Sequence, residues 1–248
     1  MKRSPLMTAW LGLRAIVFMI GFSLITAVMG VFAPLLALIP PKTAYIYLRS
    51  WAKASLFWLR ITCGVKGEMR GYENFNPDQP AVVLANHQST FETMFILAKF
   101  PRMSWVIKQE LLNIPFFGWG MKQSHPIAID RSDGLSSLEQ ILRNGKQRVE
   151  EGNSICLFPE GTRTPSSKKS RFKIGGAKLA IHADVPVYPV AHNAGDCWPK
   201  EGLIKTPGTV TISIGKPISI EGKTANELIA EAEDWVNEER TKLPPINS

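Results

Sequence analysis

Cysteine and histidine are scarce in this chain of 248 residues, which holds three cysteines and four histidines. The cysteines are separated by 93 and 41 residues. That spacing excludes a disulfide framework and a C-x-x-C redox or zinc motif. The histidines show no metal-ligand spacing either, so the sequence predicts no metal site.

Acidic residues are few in the larger part of the chain. Residues 1–180 hold 23 Lys or Arg and 11 Asp or Glu, whereas residues 181–248 hold 6 and 10. Such an uneven excess of cations favours an anionic partner: nucleic acid, an acidic membrane surface or a phosphorylated substrate. Apolar residues make up 45% of the chain and charged residues 20%, which excludes a disordered protein. The length fits one or two domains.

A run of 25 residues without a charge, 15–39, follows a short basic N-terminus. About 20 apolar residues are enough to cross a bilayer, whereas the apolar part of a cleaved signal peptide has about 7–15. Cations flank the run on both sides, so the positive-inside rule does not favour a single crossing. The run is predicted either to cross the membrane or to lie in its cytoplasmic leaflet.

The next segment, 45–65, is apolar with well-spaced cations, which is typical of an interfacial helix. Arg49, Lys53 and Arg60 are expected to reach lipid phosphates. Residues 1–64 are therefore predicted to be N-terminal membrane-associated helices, and residues 65–248 to form a second, α/β domain.

From Lys66 onward, apolar strands alternate with helices, which predicts an α/β fold with a mixed sheet flanked by helices. The predicted strands are 81–85, 103–107, 127–129, 154–158, 185–191 and 210–214. The last of these alternates in polarity and is expected to be exposed. The predicted helices are 91–99, 135–150, 176–182 and 224–243.

A histidine and an acid follow the first predicted strand, in the segment Asn86-His87-Gln88-Ser89-Thr90-Phe91-Glu92. The carboxyl ends of strands are where α/β sheets usually place chemistry. If His87 lies in the turn and Glu92 in the first helical turn, the carboxylate can reach one imidazole nitrogen. The other nitrogen is then free to take a proton. A structural interpretation stays open, because Ser89-x-x-Glu92 is also a capping box.

Further motifs follow along the chain. The segment Phe158-Pro159-Glu160-Gly161-Thr162-Arg163 comes after a predicted strand, and its arginine offers a planar fork for a phosphate. A structural Glu160–Arg163 pair is the alternative. The spacing Lys108-x2-Leu111-x6-Gly118-x12-Arg131 has no meaning from first principles, and VPVYPV at 185–190 is a core strand by default.

Together these motifs resemble the 1-acyl-sn-glycerol-3-phosphate acyltransferase family, the lysophosphatidic acid acyltransferases. The blocks of that family look like NHx4D, Kx2Lx6Gx12R, EGTR and a VPVxPV-like strand, and all four occur here in order over residues 86–190. One departure is Glu92, which stands where the family usually has Asp and is longer by one methylene. Residues 191–248 match no motif.

The resemblance implies a glycerolipid acyltransferase-like fold preceded by a membrane-anchoring helical segment. It implies transfer of an acyl chain from acyl-CoA or acyl carrier protein to the sn-2 hydroxyl of 1-acyl-glycerol-3-phosphate, which gives phosphatidic acid for phospholipid biosynthesis. His87 would be the general base and Glu92 its orienting partner. The substrate-binding residues would be Lys108, Arg131, Glu160, Gly161, Thr162 and Arg163. No cofactor is expected beyond the acyl donor.

Two alternatives stay open at this point. The acceptor could be another lysophospholipid or a lyso-aminolipid, because the motifs do not fix the head group. A non-catalytic, membrane-tethered module that binds anionic lipid would also use the basic charge. The expected partners are lysophosphatidic acid, the acyl donor and the lipid bilayer, without nucleic acid. The expected location is the cytoplasmic face of the bacterial inner membrane.

Phe116, Phe117 and Trp119 are expected to line the path of the acyl chain, contact lipid or pack in the core.

Overall fold

A pair of helices precedes the α/β body. The computed structural model describes residues 4–130 and 134–246. Helix α1 spans Pro5–Phe32 and continues into a 3₁₀ segment, Ala33–Leu38, and α2 spans Pro41–Cys63. Proline at the first position of each helix is pre-set for helical geometry and lacks an N–H that would have no helical partner there. Helix α2 ends at Gly64, which takes the left-handed conformation that glycine tolerates best.

Seven strands of the body form one mixed sheet. They are β1 (Val65–Arg70), β2 (Val82–Ala85), β3 (Met103–Lys108), β4 (Ile127–Ile129), β5 (Ser154–Leu157), β6 (Val187–His192) and β7 (Gly208–Ile214). Their order is β1-β7-β6-β2-β5-β3-β4. All neighbouring pairs are parallel except β6 and β7. The predicted mixed α/β sheet flanked by helices is confirmed.

Helices cover both faces of this sheet. They are α3 (Phe91–Lys99), α4 (Phe117–Lys122), α5 (Gly134–Glu150), α6 (Gly175–Ala183), α7 (Ala194–Cys197) and α8 (Ala225–Lys242). Val83 and Ala85 of β2 pack in the core that includes residues of α1, α2 and α3. Val82 and Leu84 pack in the opposite core, with residues of α5, α6 and α8. A strand buried on both faces reads as a continuous apolar run, which is why its sequence predicted it.

The first two helices form an antiparallel hairpin. The Tyr47 hydroxyl donates to the Met29 carbonyl at 2.8 Å, and the Trp58 indole donates to the Phe18 carbonyl at 3.2 Å. Nearer the open end, the Arg14 Nε donates to the Thr62 carbonyl at 2.5 Å, which satisfies a backbone acceptor in the last turn of α2. Within the described residues, the α1 segment is the one helix long and apolar enough to cross a membrane.

The hairpin shares its core with the sheet. The Phe18 ring meets the Trp198 ring edge-on, with centroids 5.2 Å apart, and a side chain at Gly30 would collide with Phe116. Arg49 donates to the carbonyls of Ala98 and Lys99 at the end of α3. The expectation that Arg49 reaches lipid phosphates is therefore wrong, because its guanidinium caps a helix of the body.

The prediction that 210–214 is an exposed strand is also wrong. Strand β7 lies inside the sheet, between β1 and β6, and its last five residues are buried. The hydroxyls of its two buried polar residues are paired: Thr211 Oγ1 donates to Glu68 at 2.8 Å, and Ser213 Oγ donates to Glu239 at 2.7 Å. The exposed edge is β1, which the sequence analysis missed.

Candidate active site

Four neighbouring strands bring the motifs to one edge of the sheet. In sheet order, His192 ends β6, His87 follows β2, the segment Glu160–Arg163 follows β5, and Lys108 ends β3. These strands are parallel to one another, so their carboxyl ends meet at the same edge. This edge is where open α/β sheets bind ligands.

His87 and Glu92 are in direct contact there. His87 lies in the turn after β2, and Glu92 is the second residue of α3. The His87 Nδ1 is 2.7 Å from Glu92 Oε1, and the histidine side chain keeps 16% of its surface exposed. The extra methylene of Glu92 therefore still allows a hydrogen bond to the ring. The Phe158 ring stacks on the imidazole at a centroid distance of 4.0 Å.

The same carboxylate oxygen also organises the start of α3. Glu92 Oε1 accepts the backbone N–H groups of Gln88 at 3.0 Å and Ser89 at 2.8 Å. The Ser89 hydroxyl accepts the Phe91 N–H and the N-cap of α3 is Thr90, so only the carboxylate half of the predicted capping box forms, from the Ser89 N–H to Glu92. Burial acts to raise the pKa of Glu92, but the hydrogen-bonded His87 imidazole and the Ser89 N–H lower it below its usual value. Glu92 is therefore a buried carboxylate.

Glu160 points inward from the loop after β5. Its Oε1 accepts the backbone N–H of His87 and the hydroxyl of Ser170, both at 2.9 Å. A second hydrogen bond joins the loop after β5 to the histidine turn, from the Thr164 N–H to the His87 carbonyl at 2.7 Å. The loop of the EGTR motif and the histidine turn are thus held together as one unit, with both backbone polar groups of His87 engaged.

Arg163 extends from this loop to the start of α3. Its Nη2 donates to the Thr90 hydroxyl at 2.9 Å, three residues from His87. Gly161 has φ +74°, a conformation that favours glycine, and its N–H donates to the Phe158 carbonyl. That N–H is therefore engaged within the loop itself. Thr162 is exposed.

Lys108, from the Kx2Lx6Gx12R motif, lies farther from the histidine. Lys108 ends β3, two strands from β2, which corresponds to about 10 Å at the usual strand spacing. Its Nζ lies 2.7 Å from Glu110, in an exposed ion pair. Arg131 lies outside the described residues. Among the residues that the structure does describe, no cluster of His, Cys, Asp or Glu side chains could hold a metal ion.

Two apolar recesses lie on opposite faces of the sheet, and one of them reaches the site. One cavity of about 250 Å³ is lined mainly by apolar side chains and reaches Phe158, Gly161 and Lys173. A smaller recess between α1, α2 and α4 is lined in part by Phe116 and Phe117. Trp119, by contrast, is 40% exposed.

Sequence reasoning missed two residues beneath the histidine. Asn86 and His192 are fully buried and bonded to each other across β2 and β6. Asn86 was visible as the first residue of the histidine motif. His192 carried no signal, since it follows the VPVYPV strand without any motif of its own.

Comparisons with known proteins identify the family of this chain. The Acyltransferase family model matches residues 66–193. A 1-acyl-sn-glycerol-3-phosphate acyltransferase from Pseudomonas aeruginosa is 38% identical over 239 residues, which cover 94% of this chain and 93% of that protein. Its counterpart from Saccharomyces cerevisiae is 30% identical over 208 residues, 80% of this chain and 66% of that protein. The crystal structure of the 1-acyl-sn-glycerophosphate (LPA) acyltransferase PlsC from Thermotoga maritima matches with a TM-score of 0.78 and 26% identity, over 95% of this chain and 97% of that one.

Proposed function

Because the chain belongs to the 1-acyl-sn-glycerol-3-phosphate acyltransferase family and is an acyltransferase, we propose that it acylates the sn-2 hydroxyl of 1-acyl-glycerol-3-phosphate. The acyl donor is a thioester of coenzyme A or acyl carrier protein, and the products are phosphatidic acid and a free thiol. The observation that carries the proposal is the 2.7 Å contact between His87 and a buried glutamate at the carboxyl end of β2.

His87 acts as the general base in this proposal. The His87 Nδ1–H donates to Glu92, which leaves the Nε2 lone pair for the acceptor hydroxyl. As Nε2 takes the hydroxyl proton, the oxygen attacks the thioester carbonyl, and the carboxylate stabilises the imidazolium that forms. Proton transfer by a positioned histidine contributes about 10²–10⁴-fold to a rate.

The thioester then breaks without a covalent enzyme intermediate. The tetrahedral adduct collapses as the C–S bond breaks, and the imidazolium returns its proton to the leaving sulfur. The new C–O bond is the sn-2 ester. The stacked Phe158 ring and the contact with Glu92 keep the imidazole in one orientation throughout.

We assign the binding of the acceptor phosphate to Arg163, assisted by Lys108 and Arg131. A guanidinium offers a planar pair of donors that matches a phosphate. Arg163 is bonded to Thr90, and its neighbour Thr164 is bonded to His87, so a phosphate held there lies near the base. The inward-pointing carboxylate of Glu160 would repel a phosphate, so we assign it to holding the loop.

We predict that Arg163→Ala raises KM for a phosphate-bearing acceptor by roughly 10- to 100-fold, since charged hydrogen bonds contribute about 1.5–3 kcal/mol. Arg171→Ala, which removes an exposed cation from the same loop, is the matched control and leaves KM near the wild-type value. Steady-state kinetics with varied acceptor measure both. An unchanged KM in Arg163→Ala together with a lower melting temperature would indicate a structural role instead.

The hairpin is proposed to hold the enzyme on the cytoplasmic leaflet rather than to cross the bilayer. Contacts to α2 or the body occur along α1, from Arg14 through Phe18 to Gly30, so the helix lies against the protein. Its outer side carries exposed apolar residues, among them Ile16, Ile20, Leu24 and Val28. Because the other side of α1 is docked on the protein, this apolar face would lie in the acyl region of one leaflet.

Leu24→Asp combined with Ile20→Asp is therefore predicted to move most of the protein from the membrane to the soluble fraction. These side chains are 60% and 57% exposed, so their replacement leaves the core intact. Leu203→Asp, at an exposed apolar residue outside the hairpin, is the control and stays with the membrane. Sedimentation of lysates measures the distribution, and membrane retention of the double variant would contradict the assignment.

Product analysis tests the reaction itself. Purified protein in lipid is incubated with a labelled acyl thioester and with lysophosphatidic acid, other lysophospholipids or a lyso-aminolipid. Labelled phosphatidic acid is the expected main product. A lipase that is specific for the sn-2 ester should release the label from it. Preferential labelling of another lysolipid would show that this lysolipid is the acceptor instead. Labelling at the sn-1 position would contradict the proposed regiochemistry.

A further inference from the structure

A second histidine lies directly beneath the catalytic turn. His192 is the last residue of β6 and is completely buried. Strands β6 and β2 are paired as far as Ala85 and Val190, and the turn that carries His87 begins at the next residue. The hydrogen bonds that follow this last pair therefore determine how firmly the turn is held.

Asn86 and His192 continue the pairing with three hydrogen bonds. The His192 N–H donates to Asn86 Oδ1 at 2.9 Å, and Asn86 Nδ2 donates to the His192 carbonyl at 3.1 Å. The third bond joins the His192 Nε2 to the Asn86 carbonyl at 2.6 Å. The carbonyl of Asn86 belongs to the peptide that precedes His87, so the ring of one histidine fixes the backbone of the other.

The partners of His192 also fix its charge and tautomer. The Ala194 N–H donates to His192 Nδ1 at 3.2 Å, so that nitrogen carries the lone pair and Nε2 carries the proton. Burial lowers the pKa of His192 below its ordinary value, against the opposing influence of Glu92. A neutral ring therefore donates to Asn86 and does not compete with His87 for the carboxylate.

The side chain of Gln88 anchors the other end of this turn. Its Oε1 accepts the Gly195 N–H at 3.0 Å, just beyond His192. Asn86 is thus tied to the last residue of β6 and Gln88 to the helix α7 that follows it, and His87 lies between them. The backbone N–H groups of Gln88 and Ser89 then converge on Glu92, whose second oxygen is buried without a hydrogen-bond partner among the described residues.

We infer that His192 is a positioning residue for acyl transfer, whose neutral imidazole holds the Asn86 carbonyl so that His87 stays aligned with Glu92. The inference rests on the proposed role of His87 as the base. His192 touches neither substrate, so its loss should lower kcat through misalignment and leave acceptor binding intact. A misplacement of about 1 Å in such a constellation costs up to about 100-fold in rate.

Two polar variants of the full-length enzyme separate this role from simple packing. A Gln side chain places its N–H near the position of Nε2, whereas the shorter Asn reaches only the position of Nδ1. His192→Asn is expected to lower kcat by roughly 10- to 100-fold with KM for lysophosphatidic acid within about twofold of wild type. His192→Gln is expected to have a kcat much closer to that of wild type than His192→Asn has. His182→Asn, at an exposed histidine, is expected to leave kcat unchanged.

The His87→Ala background distinguishes the two assignments. If His192 acts through His87, adding His192→Asn to His87→Ala lowers the residual rate no further. A normal kcat in His192→Asn, an equal loss in both His192 variants, or an additive loss in the double variant would each overturn the positioning role. An active His87→Ala enzyme would instead overturn the base assignment.

Discussion

His87→Ala is expected to lower the rate of acyl transfer by about 10²–10⁴-fold, because it removes the group that takes the acceptor proton. The fold should survive the change. The backbone N–H and carbonyl of His87 keep their bonds to Glu160 and Thr164, and Glu92 keeps its two backbone donors. Rates measured with saturating acyl thioester and lysophosphatidic acid test the prediction.

His182→Ala, at an exposed histidine of α6, is the matched control and should retain the wild-type rate. Thermal unfolding and membrane sedimentation show whether His87→Ala remains folded and membrane-bound. Near-normal turnover by a folded His87→Ala protein would exclude His87 as the base.

Glu92→Gln is expected to have the second largest effect, a fall in kcat of about 10²–10⁴-fold with little change in KM. Glutamine keeps the size of the side chain and an oxygen that can accept the N–H groups of Gln88 and Ser89. It lacks the charge that stabilises the imidazolium and fixes the proton on Nδ1. Glu92→Ala is a poorer test, because an unmet buried N–H costs about 1–3 kcal/mol and the turn would loosen.

Glu92→Asp provides the graded control for this prediction. It keeps the charge but is shorter by one methylene, so the 2.7 Å contact with His87 lengthens unless α3 shifts. Its kcat should fall between those of wild type and Glu92→Gln. Equal rates for all three proteins would show that Glu92 serves only to cap the helix.

The sequence predicted the wholly apolar strands better than the strands that carry polar side chains. Strands β2 and β5 are short apolar runs because both of their faces are buried, and such runs are easily recognised. Strand β1 was missed because it pairs on one side only and carries Lys66, Glu68 and Arg70 on an edge. Strand β7 was placed at the surface because the partners of its hydroxyls, Glu68 and Glu239, lie 143 and 26 residues away along the chain.

The site was only partly predictable, for the same reason. The spacing of His87 and Glu92 is local, so the geometry of one turn and one helix start was enough to expect their contact. Glu160 points inward because it bonds to Ser170 and to the backbone of His87. His192 bonds to Asn86, which lies 106 residues earlier in the chain. Pairings over such distances have no local pattern to reveal them.

The ratio of kcat/KM for 1-acyl-glycerol-3-phosphate to that for the same acylglycerol without phosphate tests the central claim most directly. Measured with one acyl thioester, wild type should favour the phosphate-bearing acceptor, and Arg163→Ala should bring the two values together. His87→Ala should lose activity toward both acceptors. Equal values in wild type, or an Arg163→Ala enzyme with an unchanged ratio, would contradict a base and a phosphate-binding arginine acting on one substrate.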